Sequence, residues 1–356
     1  MSILTATALF FVLVVGIFFL PLLPALREVR QRVDANALPI AADGRMSSTY
    51  FAERFREILR RRLAGPLAEV AEIGSPLSGS IDGSDEFVVL PAGALAMDVK
   101  AGERMVVGAG DLDLGSDRHF LREIYAQGDL RAGDDVVVRA TLIDGNATFG
   151  SGASSLRWIH AEKDLSFGPG AGLSGRVSSG ACLRLDEDSV FERVHAPRIE
   201  FGAPRDSTHD TPEGRRDLRE DELPANSETT GTRTLVHEDF TLEAGTRWIG
   251  DLVVHGDLDC GRGSQIIGSV KAHRVRLQEN AEVDGSVVST SDVFALEGVR
   301  IHGVLLAEGH VELARACRIG VEPDTASVRA HSIDVAPGTV VHGAVWVDQD
   351  EGQVTS

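Results

Sequence analysis

The chain has 356 residues and a formal net charge of −19, with 54 acidic against 35 basic side chains. That balance excludes a general nucleic-acid binder, which needs a basic face for phosphate. Hydrophobic residues make up 43% and aromatic ones 5%, so any core must be built from stacked aliphatic side chains.

From Ile3 to Leu23 there is no charged residue, and these 21 residues are long enough to span a bilayer. The basic residues Arg27, Arg30 and Arg32 follow the segment and none precedes it, which argues against a cleaved leader and predicts a single-pass anchor over 1–26 with the remainder cytoplasmic. Residues 27–85 read as a basic juxtamembrane linker. Between Arg27 and Arg62 nine arginines face five acids, a local net charge of +4.

Within the linker, Ser47 or Ser48 caps a predicted amphipathic helix over 48–64. Phe51, Phe55, Ile58, Leu59 and Leu63 recur on one face at steps of three and four, and Gly65-Pro66 ends the pattern. The opposite face carries Arg54, Arg56, Arg60, Arg61 and Arg62. Two readings follow. The helix lies on anionic lipid through Arg27, Arg30, Arg32, Arg60, Arg61 and Arg62, or it packs its apolar face over the first turn of the domain that follows.

A small residue followed two positions later by an aliphatic recurs at Gly250-Asp251-Leu252, Gly268-Ser269-Val270, Gly285-Ser286-Val287 and Gly303-Val304-Leu305. The steps are 18, 17 and 18, the mark of a solenoid. Two residues before these corners stand Trp248, Ile266, Val283 and Ile301, then Ile319 and Val341; ten before stand Phe240, Leu258, Val275 and Val293, then Val311 and Ile333. The frame read backwards gives Phe120, Val138, Ser155, Leu173 and Val190, with Ser155 the one polar member. Short apolar-x-apolar pieces such as Leu165-Ser166-Phe167 fit three strands per turn of about 17.5 residues at about 3.3 Å per residue. The predicted fold is all-β, a single-stranded parallel β-helix with a first block over 86–202 and a second over 235–349. Residues 203–234, polar and rich in Pro, Asp, Glu and Arg, read as a disordered loop, and 350–356 as a tail.

The corners between Gly250 and Val345 resemble those of the bactofilins, bacterial polymer-forming cytoskeletal proteins, with residues 104–202 a looser match. The resemblance implies a right-handed coil that associates end to end without nucleotide, often at the inner membrane face. The last turn is then a candidate polymer edge, through Ile333, Val335, Val341, Val345 and Val347.

Catalytic signals are weak. The eleven histidines form no HExxH; His255 and His273 share an offset on neighbouring turns without further ligands; Gly168-Pro169-Gly170-Ala171-Gly172 precedes no helix and reads as a turn. Cys182, Cys260 and Cys317 have no metal-ligand spacing, and Cys260 falls on an inward column. No catalytic, cofactor or metal residue is expected, and no small-molecule substrate is identified. The sequence therefore predicts a non-enzymatic scaffold at the bacterial inner membrane, with lipid and its own copies as partners. The opposing reading is a non-polymerising extracytoplasmic β-helix protein: a hexapeptide-type transferase, a lyase or an adhesin.

Overall fold

The computed structural model describes residues 49–96, 104–203, 214–219, 222–323 and 325–356. Two coils of short parallel strands make up the body, and their hydrogen bonding joins them in one sheet. In the second coil each turn has three strands, for example Leu258–Cys260, Gln265–Ile267 and Val270–Ala272. Each strand pairs in register with its equivalents one turn before and after. The first coil reaches the same path differently. Long strands such as His119–Ala126 and Ser154–Ala161 bend through a register shift and cover two sides, and a short strand such as Leu130–Ala132 covers the third.

The inward columns follow the sequence frame. Trp248, Ile266, Val283, Ile301, Ile319 and Val341 are Cα partners from turn to turn. So are Phe240, Leu258, Val275, Val293, Val311 and Ile333. In the first coil Phe120, Val138, Ser155 and Leu173 align as expected, but the next partner is Phe191 rather than Val190. These columns merge into one core running from Val88 to Val354. Cys260 and Cys317 lie inside it, where burial pushes the Cys317 thiol up to about 12 and Cys260 up as well. Cys182 is partly exposed, and all three thiols are free.

Two helices precede the coil, α1 (Tyr50–Arg62) and α2 (Ala64–Ile73). Gly65-Pro66 begins the second helix rather than closing the first. Proline is tolerated there because a first-turn residue needs no amide hydrogen. Of the two readings of α1, its packing is the one over the coil. Ala52, Phe55, Leu59 and Leu63 are buried, together with Leu67 and Val70 of α2, against Val89, Val107, Tyr125 and Leu142 of the first coil. Phe51 and Ile58 stay exposed. The helix thus covers the flank of the coil, and its apolar face is already used.

Among the described residues no helix is long and apolar enough to cross a membrane. The span expected over residues 3–23, and with it Arg27, Arg30 and Arg32, lies outside the described residues. Arg62 pairs with Asp82 and Arg61 with Glu57, within the chain. Among the described residues nothing supports the single-pass anchor, the lipid partner, the inner-membrane location or the membrane-bound polymer-forming scaffold built on them, and these expectations are corrected to that extent.

A strand β1 (Leu77–Ile81) folds back antiparallel on β2 (Asp85–Leu90), which opens the first coil. The first coil closes on the twelve-residue strand β3 (Val190–Phe201). The segment expected to be disordered contains order: Arg216–Asp217 pairs with Thr246–Arg247, and β4 (Ser227–Thr230) forms a hairpin with β5 (Arg233–Val236), the first strand of the second coil. Residues 204–213 lie outside the described residues. The second coil ends on β6 (Thr339–Val347) and β7 (Gly352–Val354), so the expected tail supplies a strand.

Candidate functional site at the seam between the coils

One edge of β3 pairs parallel with its own coil, at Gly172–Ser178 and Cys182–Leu185. Its other edge pairs antiparallel with β6 over Arg193–Phe201 and with β7 at Val190 and Phe191. The last turn of the first coil is therefore bonded to the last turn of the second. Inward columns cross without interruption, with Val194 opposite Val345, Ile199 opposite Val341 and Phe191 opposite Gly352. Only glycine fits at 352, since a Cβ there would stand 2.4 Å from the Phe191 ring.

The residues predicted to form a polymer edge fall within this seam or directly beneath it. Val341 and Val345 face β3, Ile333 and Val335 pair with β7, and Val347 pairs with Ala330. All five are buried. The edge they were expected to offer to another copy is occupied by the same chain.

Glu200 buttresses the seam from outside the core. Its carboxylate accepts from Arg184 Nε at 2.7 Å and Arg198 Nε at 2.6 Å. Burial would raise its pKa, but the two guanidiniums outweigh it and hold the group below its ordinary value.

The flank covered by α1 continues across the seam. Near the helix, Arg56 bridges Asp144 at 2.8 Å and Glu162, and Tyr125 donates to Asp144 at 2.6 Å. His160, 4% exposed, meets Ser178 Oγ at 2.8 Å and Glu162 at 3.3 Å. Burial lowers its pKa, and that of His195 on the same outward column. Beyond the helix the adjoining outward column runs Trp158, Arg176, Arg193, Trp346 and Arg329, each the Cα partner of the next. A groove opens there, lined by Phe51, Arg157, Trp158, Gly175, Arg176, Glu192 and Arg193, with the Glu192 carboxylate accepting from the Gly175 amide at 3.0 Å. Arg176 lies 5.3 Å from the Phe51 ring centre and Arg193 lies 5.6 Å from that of Trp346.

Elsewhere the histidine column holds a third member that the spacing did not single out. His237 meets His255 edge to face at 5.1 Å, and His273 turns to Thr290. A different group, Glu282, Asp284 and His302, brings ligand-type atoms within 4.8 Å of one another. His302 turns Nδ1 to Asp284 and Nε2 to Glu282, while Arg215 holds the other Glu282 oxygen at 2.9 Å. Through Arg215 that arrangement ties the crossing segment to the coil. The 168–172 glycine run is a turn, with Gly170 at φ +71°.

Compared with known proteins, the chain matches no family model, no curated protein and no solved structure. The parallel β-solenoid is consistent with a bactofilin-like architecture in general.

Proposed function

We propose that the chain is a β-helix protein that does not polymerise, a rod joined at its own seam whose flanks bind rather than catalyse. The antiparallel pairing of β3 with β6 and β7 carries this reading. A coil that grows end to end must keep its terminal strand edges free, and here the terminal turns consume each other's hydrogen-bonding groups. The opening strands β2 and β5 are likewise covered by hairpin partners, β1 and β4, whose sequences Leu-Ser-Gly-Ser-Ile and Ser-Glu-Thr-Thr make poor edges for further growth. The likeness of residues 250–345 to the bactofilins is, on this reading, a kinship of architecture, with edge pairing used inside one chain.

A binding role, rather than a transferase or lyase activity, is favoured by the state of the polar clusters. Glu282, Asp284, His302 and Arg215 are engaged with one another, as are Glu200, Arg184 and Arg198. Sedimentation velocity and electron microscopy on the full chain test the reading. Discrete particles of one size across a wide concentration range are expected; filaments of variable length would overturn it.

A further inference from the structure

The groove beside the seam gives the proposed binding flank a specific chemistry, and the inference rests on that binding reading. Arg157, Arg176 and Arg193 line it, and among the described residues none of the three has an ion-pair partner, although the chain carries 54 acidic side chains. Some arginines of the coils, such as Arg184, Arg247 and Arg329, are matched to a carboxylate, while among the described residues others, such as Arg131 and Arg276, are not; the groove is where three unmatched ones line one depression. Glu192 lines the same groove, so three guanidiniums face one carboxylate there, and the groove keeps a net positive charge in an acidic protein, which favours an anionic ligand.

Aromatic rings bracket the same charges. Trp158, Arg176, Arg193 and Trp346 occupy consecutive strands on one outward column, so they stand about 4.8 Å apart along the rod. Phe51, at the exposed end of α1, forms a wall over Arg176. The stripe passes from one coil to the other across the seam, with the groove open to solvent beside Arg193 and Trp346 on the next strand. Such a shape suits a chain lying along the rod better than an enclosed small molecule.

We propose that this groove binds an acidic oligosaccharide, a chain in which each unit supplies both a ring and a carboxylate. The rings lie against the sides of Trp158 and Trp346 that Phe55 and Arg193 leave uncovered, and the carboxylates meet the planar forks of Arg176 and Arg193, which take two oxygens at once. An aliphatic anion would leave the indoles without a role. Single-stranded nucleic acid also combines rings with charge, but its affinity grows with the number of phosphates neutralised. Three arginines on a chain of net charge −19 give little of that.

The test is titration of the full chain with hexagalacturonate, followed by calorimetry and tryptophan fluorescence, with cellohexaose, citrate and oligothymidylate as comparison probes. Hexagalacturonate binds with a fluorescence change, and the other three bind more weakly. Joint Arg176→Ala and Arg193→Ala substitution weakens binding about ten-fold or more, in line with the loss of charge-assisted forks. Arg176→Lys keeps the charge and the fold but loses the fork, so it too binds more weakly, and Trp346→Ala reduces both affinity and the fluorescence change. Circular dichroism and sedimentation on each variant separate lost binding from lost folding. Failure of hexagalacturonate to bind, binding unaltered in the folded variants, or equal or tighter binding of oligothymidylate would overturn the proposal. A discrete particle that binds no uronate would leave the non-polymerising reading in place.

Discussion

Ser155 is the polar member of an otherwise apolar inward column, between Val138 and Leu173. It is 1% exposed, and among the described residues its hydroxyl has no hydrogen-bond partner. A buried hydroxyl in that state costs free energy that alanine, close in size, would not. Ser155→Ala should therefore raise stability by about 1 kcal/mol, read as a higher urea midpoint with an unchanged slope. A lower midpoint would show that the hydroxyl is satisfied. At this scale the sequence was informative wherever parity alone decides burial, as for Cys260 and Ile333. It failed by one residue at Phe191, because the bend inside the long strands of the first coil changes the count from corner to corner.

Helix α1 was legible as an amphipathic element, and its target was written in the coil as well. Val88-Val89, Val106-Val107, Ile124-Tyr125 and Leu142-Ile143 are apolar at both parities, so one side of each pair must face outward. Those outward residues are the ones α1 and α2 cover. The signal is weak because an apolar doublet also fits a fully buried strand. Polar contacts then fix the helix, with Arg56 reaching Asp144 and Glu162, and His160 buried beside them.

The histidine gives this element a pH dependence with a definite sign. Folding holds the His160 pKa below its ordinary 6.5, chiefly by burial, so the unfolded chain binds the proton more readily. The stabilisation is complete above about 6.5 and is lost as pH falls through the lowered value. Amide exchange across α1, corrected for intrinsic rates, should thus accelerate on acidification below 6.5, and His160→Gln should flatten the response. A pH-independent exchange pattern in the unaltered chain would contradict this.

For the whole molecule, the period and columns gave two coils but not the direction in which they meet. A parallel continuation and an antiparallel one bury the same aliphatic residues, since an inward column has no polarity along the rod. Sequence order therefore left the final turn free as a candidate polymer edge, whereas the last turns of the two coils face each other. The crossing segment, read as disordered from its charge, is partly ordered by what it touches, as Arg215 is by Glu282 and the Gly263 carbonyl. Such contacts span tens of residues and leave no local pattern.

The central claim is that the two terminal turns pair within one chain. Its most direct measurement is cross-linking of a His195→Cys, Ala344→Cys chain, whose two positions are Cα partners across the seam, in a background with Cys182, Cys260 and Cys317 replaced by serine or alanine. Mild oxidation should give a disulfide within the monomer, seen as altered mobility at unchanged mass. Cross-linked dimers and longer ladders, with no internal disulfide, would contradict the account.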